Sequence, residues 1–233
     1  MRVSDRPGDS STNSEAPRVT SAETRLLTES AARFGVELRL EAIGRLARFL
    51  ELVALWNRRV HLTGERDPEV LLRKHVVDCL APVRHLPAAG LVVDVGSGAG
   101  FPGLVLACAR PDLELRLVEA RRRRASFLRE AIRTIPLAHA RVLEARAEAV
   151  ADAEVIGRAA VVIARAVRVD AFLPLAARLV APGGVVIAMR TPRALAPATV
   201  RAGEHVGLRP KGAWDYHLPG GERRRLLFFV AMC

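Results

Sequence analysis

Leu91-Val92-Val93-Asp94-Val95-Gly96-Ser97-Gly98-Ala99-Gly100-Phe101-Pro102-Gly103 is the stretch that decides how the rest of the chain is read. It opens with a short, mostly apolar run rich in β-branched residues, which predicts a strand buried on both faces of a parallel sheet. The run ends at Gly96, Gly98 and Gly100. A ligand can lie close against such a bend only where side chains are absent. Backbone N–H groups at the start of the helix that follows would then face that ligand.

Working outward, comparable runs recur at residues 115–118, 141–143, 160–163 and 185–189, with helical patterns over 121–135 and 170–180 between them. Strand alternating with helix implies a doubly wound α/β fold. The last apolar run, 225–233, is expected to pair with residues 214–217, giving a mostly parallel seven-stranded sheet with helices on both faces. Upstream the periodicity is helical. Leu46, Phe49, Leu50, Val53 and Trp56 share one face, and Asp67-Pro68 starts a further helix. Residues 1–20 hold almost nothing apolar and are expected to form a disordered tail. The expected organisation is therefore a tail over 1–20, a helical extension over 21–88 and a nucleotide-binding-like domain over 89–233.

The 233 residues are half hydrophobic, ample for one core, yet no apolar stretch is long enough to span a bilayer. Three cysteines, Cys79, Cys108 and Cys233, fit neither a zinc spacing nor a disulfide framework, and no metal site is expected. A cytoplasmic monomer is the simplest expectation. The formal charge of +11 comes from 36 basic residues against 25 acids, and only Lys74 and Lys211 are lysine. A GC-rich genome explains the choice of arginine but not the excess, which points to a polyanionic partner such as RNA, though a membrane surface would also satisfy it.

Two cofactors use a glycine loop of this kind. Residues 98–103 match the G-x-G-x-x-G of dinucleotide binders, so an NAD-dependent oxidoreductase is one reading. Asp94 before the glycines favours S-adenosylmethionine instead, because a carboxylate suits a cationic amino-acid cofactor and not a pyrophosphate. Glu119, ending the second strand, is placed to accept from both ribose hydroxyls with either cofactor. Ala147 and Glu148 follow the third strand and Arg165 ends the fourth, where an open α/β sheet forms its ligand crevice. Glu148 could equally be a solvated loop carboxylate, and Arg165 a salt bridge closing the sheet edge.

These residues resemble the small-subunit ribosomal RNA methyltransferase G proteins, once called glucose-inhibited division protein B. The resemblance covers residues 46–230. Trp56-Asn57-Arg58-Arg59-Val60-His61-Leu62-Thr63 is similar to the family's W-N-x-x-x-N-L-T, and His75-Val76-Val77-Asp78-Cys79-Leu80 to its H-x-x-D-S-L. The glycine loop, Arg165-Ala166-Val167, Pro182-Gly183-Gly184 and Leu218-Pro219-Gly220 also fit. The resemblance implies a Rossmann-like class I S-adenosylmethionine-dependent methyltransferase acting on N7 of a guanine in 16S ribosomal RNA, free or in the small subunit. It places cofactor contacts on Gly96, Phe101, Ala147, Glu148 and Arg165. The chain departs from the family pattern at His61 (usually Asn), Cys79 (Ser), Ala164 (Ser) and Met189-Arg190 (Lys-Gly).

The chemistry agrees by what it does without. Guanine N7 carries a free lone pair and no proton, and the sulfonium methyl is already activated, so alignment suffices and no base or covalent catalyst is expected. Arg165 is left an orienting role. Cys79 and Cys108 read as small buried thiols rather than nucleophiles. A non-catalytic RNA-binding assembly factor with a degenerate pocket is the second alternative. RNA contacts are expected among Arg58, Arg59, Arg73, Lys74, His75, Arg121 to Arg124 and Arg223 to Arg225, where a solvated face is the competing account. Asn57 and Asp78 are expected to tie the helical segment together by buried hydrogen bonds, with base recognition the competing account, and Trp56 to sit in the core.

Overall fold

The computed structural model describes residues 20–192 and 197–232. Except for Thr20, the tail expected over 1–20 lies outside them, as does Cys233. Thr20 caps α1 (Ser21–Arg33) reciprocally. Its hydroxyl accepts from the Glu23 N–H at 3.1 Å, and the Glu23 carboxylate accepts from the Thr20 N–H at 2.9 Å.

Helix α2 (Leu40–Asn57) buries Leu46, Phe49, Leu50 and Val53, the face its spacing predicts. Asn57 closes it. Its Oδ1 accepts from the N–H groups of Leu62 and Thr63, and its Nδ2 donates to the Glu65 carbonyl. One buried amide thereby folds the whole turn after the helix, the structural role anticipated for it. Trp56 is half-buried at the core's margin, 5.6 Å from the Phe127 ring.

From Asp67, whose side chain caps Glu69, the chain runs through α3 (Pro68–Val70), a π-helical stretch (Leu71–Val76), α4 (Val77–Leu80) and a 3-10 turn (Ala81–His85). The π register matters because its extra residue re-aims the side chains it carries, here Lys74 and His75.

The sheet begins at β1 (Gly90–Val95), followed by α5 (Gly103–Ala109), β2 (Leu113–Val118), α6 (Arg122–Thr134) and β3 (Ala140–Leu143). A 3-10 turn (Ala147–Ala149) leads to β4 (Ala159–Arg165), α7 (Val169–Leu179), β5 (Val180–Arg190), α8 (Pro197–His205), β6 (Leu208–His217) and β7 (Arg223–Ala231). Strand order is β3-β2-β1-β4-β5-β7-β6, parallel except that β7 runs antiparallel to both its neighbours. The mostly parallel seven-stranded α/β sheet is as expected. The order reverses direction between β1 and β4, and a doubly wound sheet holds its ligand crevice at that reversal, outside the carboxyl ends of the strands.

Alternate residues of each strand feed two cores. Val92, Leu115, Leu117, Val161, Ile163, Ile187 and Leu226 pack with α1, α2, α4, α5 and α6. Val93, Val95, Val118, Val162, Val186 and Phe229 pack with α7. The helical segment 21–88 is thus continuous in its packing with one face of the sheet and shares a single core with it.

Candidate functional site

The glycine loop holds its shape through backbone geometry that side chains would spoil. Gly96, Gly98 and Gly100 have φ of 75°, 57° and 90°. A Cβ at Gly100 would lie 2.6 Å from Leu104 Cδ1, so that glycine is required by packing as well as by φ. At Gly98 the nearest atoms to an added Cβ, Arg124 Nη1 and the Gly96 carbonyl oxygen, are 3.7 Å away, so packing alone does not demand glycine there.

Two carboxylates tie this loop down. Asp94 is completely buried, and its Oδ2 accepts from the Gly103 N–H at 3.0 Å at the start of α5. A Cβ at Gly103 would stand 2.6 Å from that oxygen, so the contact demands glycine there. Asp94 Oδ1 is buried with no hydrogen-bond partner among the described residues. Burial pushes the Asp94 carboxyl up to about 7. Glu119 is also buried. Its Oε2 accepts from the Gly98 N–H at 2.9 Å and its Oε1 from the Arg121 N–H at 2.8 Å. Both carboxylates expected to face a cofactor therefore also clamp the loop, one from beneath and one from the neighbouring strand end.

Ala147 and Glu148 lie in the turn after β3, with the Glu148 side chain exposed and its carbonyl held by Arg178. Phe101 leaves the loop into the core. Its ring lies 5.1 Å from Phe49 and 5.3 Å from His75. It is 7% exposed, so only its margin can reach a ligand.

Beyond β1, the ends of β4 and β5 open on a second part of the crevice, about 470 Å³ in volume. Arg165, Arg168, Arg190 and Arg224 line it, with His75, Thr191 and the nearly buried carboxylate of Asp78. Ala166 turns the chain out of β4 at φ 62°, an uncommon value for a residue with a Cβ.

Arg165 is held from three directions. Its Nε donates to Asp78 Oδ2 at 2.9 Å, its Nη1 lies 3.0 Å from His75 Nδ1, and its Nη2 is 3.4 Å from the Lys74 carbonyl. Asp78 Oδ1 accepts from the Tyr216 hydroxyl at 2.6 Å. A guanidinium buried this deeply needs such pairing, because its desolvation is otherwise uncompensated. The salt bridge anticipated for Arg165 exists, but it runs to α4 and leaves the guanidinium on the crevice wall. Asp78, expected to tie the helical segment to itself, instead joins it to β4 and β6. The link to Tyr216, 138 residues away, gave no sequence signal, since nothing in the pattern of β6 marks that tyrosine.

Burial, reinforced by Arg165, pushes His75 down to about 4, so the ring is neutral at ordinary pH. Cys79 and Cys108 are wholly buried and burial raises both thiols, that of Cys108 to about 12. Neither has the thiolate character a nucleophile requires. No group of three or more metal-ligating side chains occurs among the described residues, and no helix among them is long and apolar enough to cross a membrane.

Arg121, Arg122 and Arg123 stand exposed at the N-terminus of α6, with no acidic residue in its first turn. That end of a helix already carries positive potential, and the Glu119 carboxylate on the Arg121 N–H is the anion that faces it.

A family model described as rRNA small subunit methyltransferase G matches residues 42–203. Curated relatives bear the name Ribosomal RNA small subunit methyltransferase G. The one from Myxococcus xanthus is 38% identical, covering 87% of this chain and 94% of its own length. The one from Chloroflexus aggregans is 36% identical and covers 91% of each. Among solved structures, TrmN from Thermus thermophilus superposes with a TM-score of 0.54 at 22% identity, over 80% of this chain and 53% of that one. A SAM dependent methyltransferase from Aquifex aeolicus gives 0.53 at 14% identity, over 71% and 94%. At such identities these two structures bear on the fold, which is that of the class I methyltransferases.

Proposed function

The chain belongs to the rRNA small subunit methyltransferase G family, and from that premise we propose that it transfers the methyl group of S-adenosylmethionine to N7 of a guanine in 16S ribosomal RNA. Membership in a methyltransferase family leaves the oxidoreductase and non-catalytic readings without support.

The observation that carries the cofactor assignment is the orphaned Oδ1 of Asp94 beneath a loop that only glycine can form. An acceptor buried without a partner is costly, and an ammonium group above the bend would satisfy it. Glu119, with lone pairs beyond the two its clamp uses, takes the ribose hydroxyls, and the turn at Ala147 and Glu148 borders the adenine. Bound there, S-adenosylmethionine supplies an electrophilic methyl that needs no activation by the protein.

This chain's own residues then have to bring the base into line. The cationic wall of Arg165, Arg168, Arg190 and Arg224 attracts the RNA backbone, with Arg165 paired to Asp78 and Arg168 to Asp170. With Cys79 and Cys108 sealed and His75 neutral, no side chain here is set up to attack the base or to remove a proton from it. Attack through the free N7 lone pair requires neither.

Calorimetry tests the assignment. Wild-type protein is expected to bind S-adenosylmethionine and not NAD. Gly98→Asp meets no clash at its Cβ but is strained at φ 57°, so its fold is checked by melting temperature, and the folded variant is expected to exclude the ligand. Tight NAD binding without S-adenosylmethionine binding, or undiminished binding by Gly98→Asp, would refute the loop assignment.

A further inference from the structure

On the crevice wall, the neighbours of His75 fix its tautomer. A guanidinium can only donate, so the 3.0 Å approach of Arg165 Nη1 makes His75 Nδ1 an acceptor. The ring must then carry its proton on Nε2. Among the described residues no acceptor pairs with that Nε2, and His75 lines the crevice. The ring is braced behind by Phe101, itself wedged against Phe49, and Arg165 is braced by Asp78 and Tyr216. The imidazole is therefore a neutral, rigidly aimed N–H donor beside the residue that ends the glycine loop. The arginines around it are charged and suit phosphates. A neutral donor suits the edge of a base, where phosphate does not compete for it.

We propose that His75 Nε2–H donates to O6 of the guanine being methylated, and so sets the choice of guanine over adenine. This rests on the guanine N7 reading above. On the edge that carries N7, guanine presents a second acceptor, O6, where adenine presents an amino donor. N7 must stay free to take the methyl, so O6 is the remaining handle on that edge. An adenine amino group would meet the His75 N–H head-on, donor against donor. Asp78 and Tyr216 act here as positioning residues through Arg165.

A protein–base double-mutant cycle tests the contact. Wild-type protein, His75→Phe and His75→Gln are assayed with S-adenosylmethionine on small-subunit RNA carrying either guanine or 2-aminopurine, which lacks O6, at the position the wild type methylates. N7 methylation is read by mass spectrometry and folding by melting temperature. On guanine, His75→Phe is expected to lose about tenfold or more in kcat/KM. His75→Gln, which keeps an acceptor for Arg165 and a donor for the base, should recover most of it. On 2-aminopurine the wild type should lose a similar factor and His75→Phe nothing further. If the two losses multiply, or Gln fails to rescue while both variants melt like wild type, His75 does not touch O6. If the wild type methylates RNA at some site other than guanine N7, the functional reading itself falls and this inference with it.

Discussion

At the residue scale, Asp94 shows how one side chain serves both fold and site. It closes β1 onto the start of α5, yet its second oxygen is left without a partner. Burial raises this carboxyl to about 7, whereas in the unfolded chain it titrates near its ordinary value, about 3.9. Between those values the folded protein holds a proton that the unfolded chain has released. The stability this provides is complete below about pH 4 and is lost as pH rises through about 7. The melting temperature of the ligand-free protein should accordingly fall between pH 5 and pH 8, with Asp94→Asn flattening that part of the decline. Equal slopes for the two proteins over that window would show that Asp94 is charged throughout. The sequence placed Asp94 and Glu119 correctly at strand ends. It did not show that both also clamp the loop, because backbone N–H groups such as those of Gly98, Gly103 and Arg121 carry no residue-type signature.

At the scale of elements, a polar chain, Tyr216 to Asp78 to Arg165 to His75, is set into the apolar interface between the helical segment and the sheet. Removing Asp78 would strand a buried guanidinium, and breaking a buried pair in this way costs about 3–5 kcal/mol. Asp78→Ala should lower stability by that order in urea unfolding, whereas Tyr216→Phe should cost only about 1–2 kcal/mol. Comparable losses from the two variants would mean that the pair with Arg165 matters no more than the phenol. The strands that run from core to core were legible because their residues are apolar on both faces, as in 91–95 and 160–163. Less regular elements were read short. The final pairing was expected from residue 214 onward, but β6 begins at Leu208, since Pro210 and Gly212 break the alternation where the register shifts. Likewise β5 starts at Val180 and carries Pro182-Gly183-Gly184 within it, a triplet that signals a turn. Helix α8 lies outside the expected elements, its nine residues spanning too few turns for periodicity to mark it.

For the whole molecule, part of the excess of basic over acidic residues stands where it can act. Four arginines line the crevice at the ends of β4 and β5, and three more stand exposed at the head of α6. Binding to 16S ribosomal RNA should weaken steeply with salt, since each neutralised phosphate releases counterions. Replacing Arg168 and Arg190 with glutamine should each reduce the log–log salt slope by about 0.7–0.9. An unchanged slope would assign those two arginines to something other than the RNA backbone. The helical segment completes the crevice rather than standing apart from it, because His75 and Asp78 form one of its walls. Sequence periodicity could not reveal this, as it reports which face of a helix is apolar but not which strand end that helix meets.

The claim beneath the whole account is that a methyl group bound over the bend from Gly96 to Gly100 passes to the N7 of a guanine. Incubating the full chain and small-subunit RNA with methyl-labelled S-adenosylmethionine, and then mapping the label by mass spectrometry of nuclease fragments, tests it most directly. The account predicts label at N7 of one guanine in 16S ribosomal RNA and none with Gly98→Asp. Label on another atom or base, or equal labelling by that variant, would contradict it.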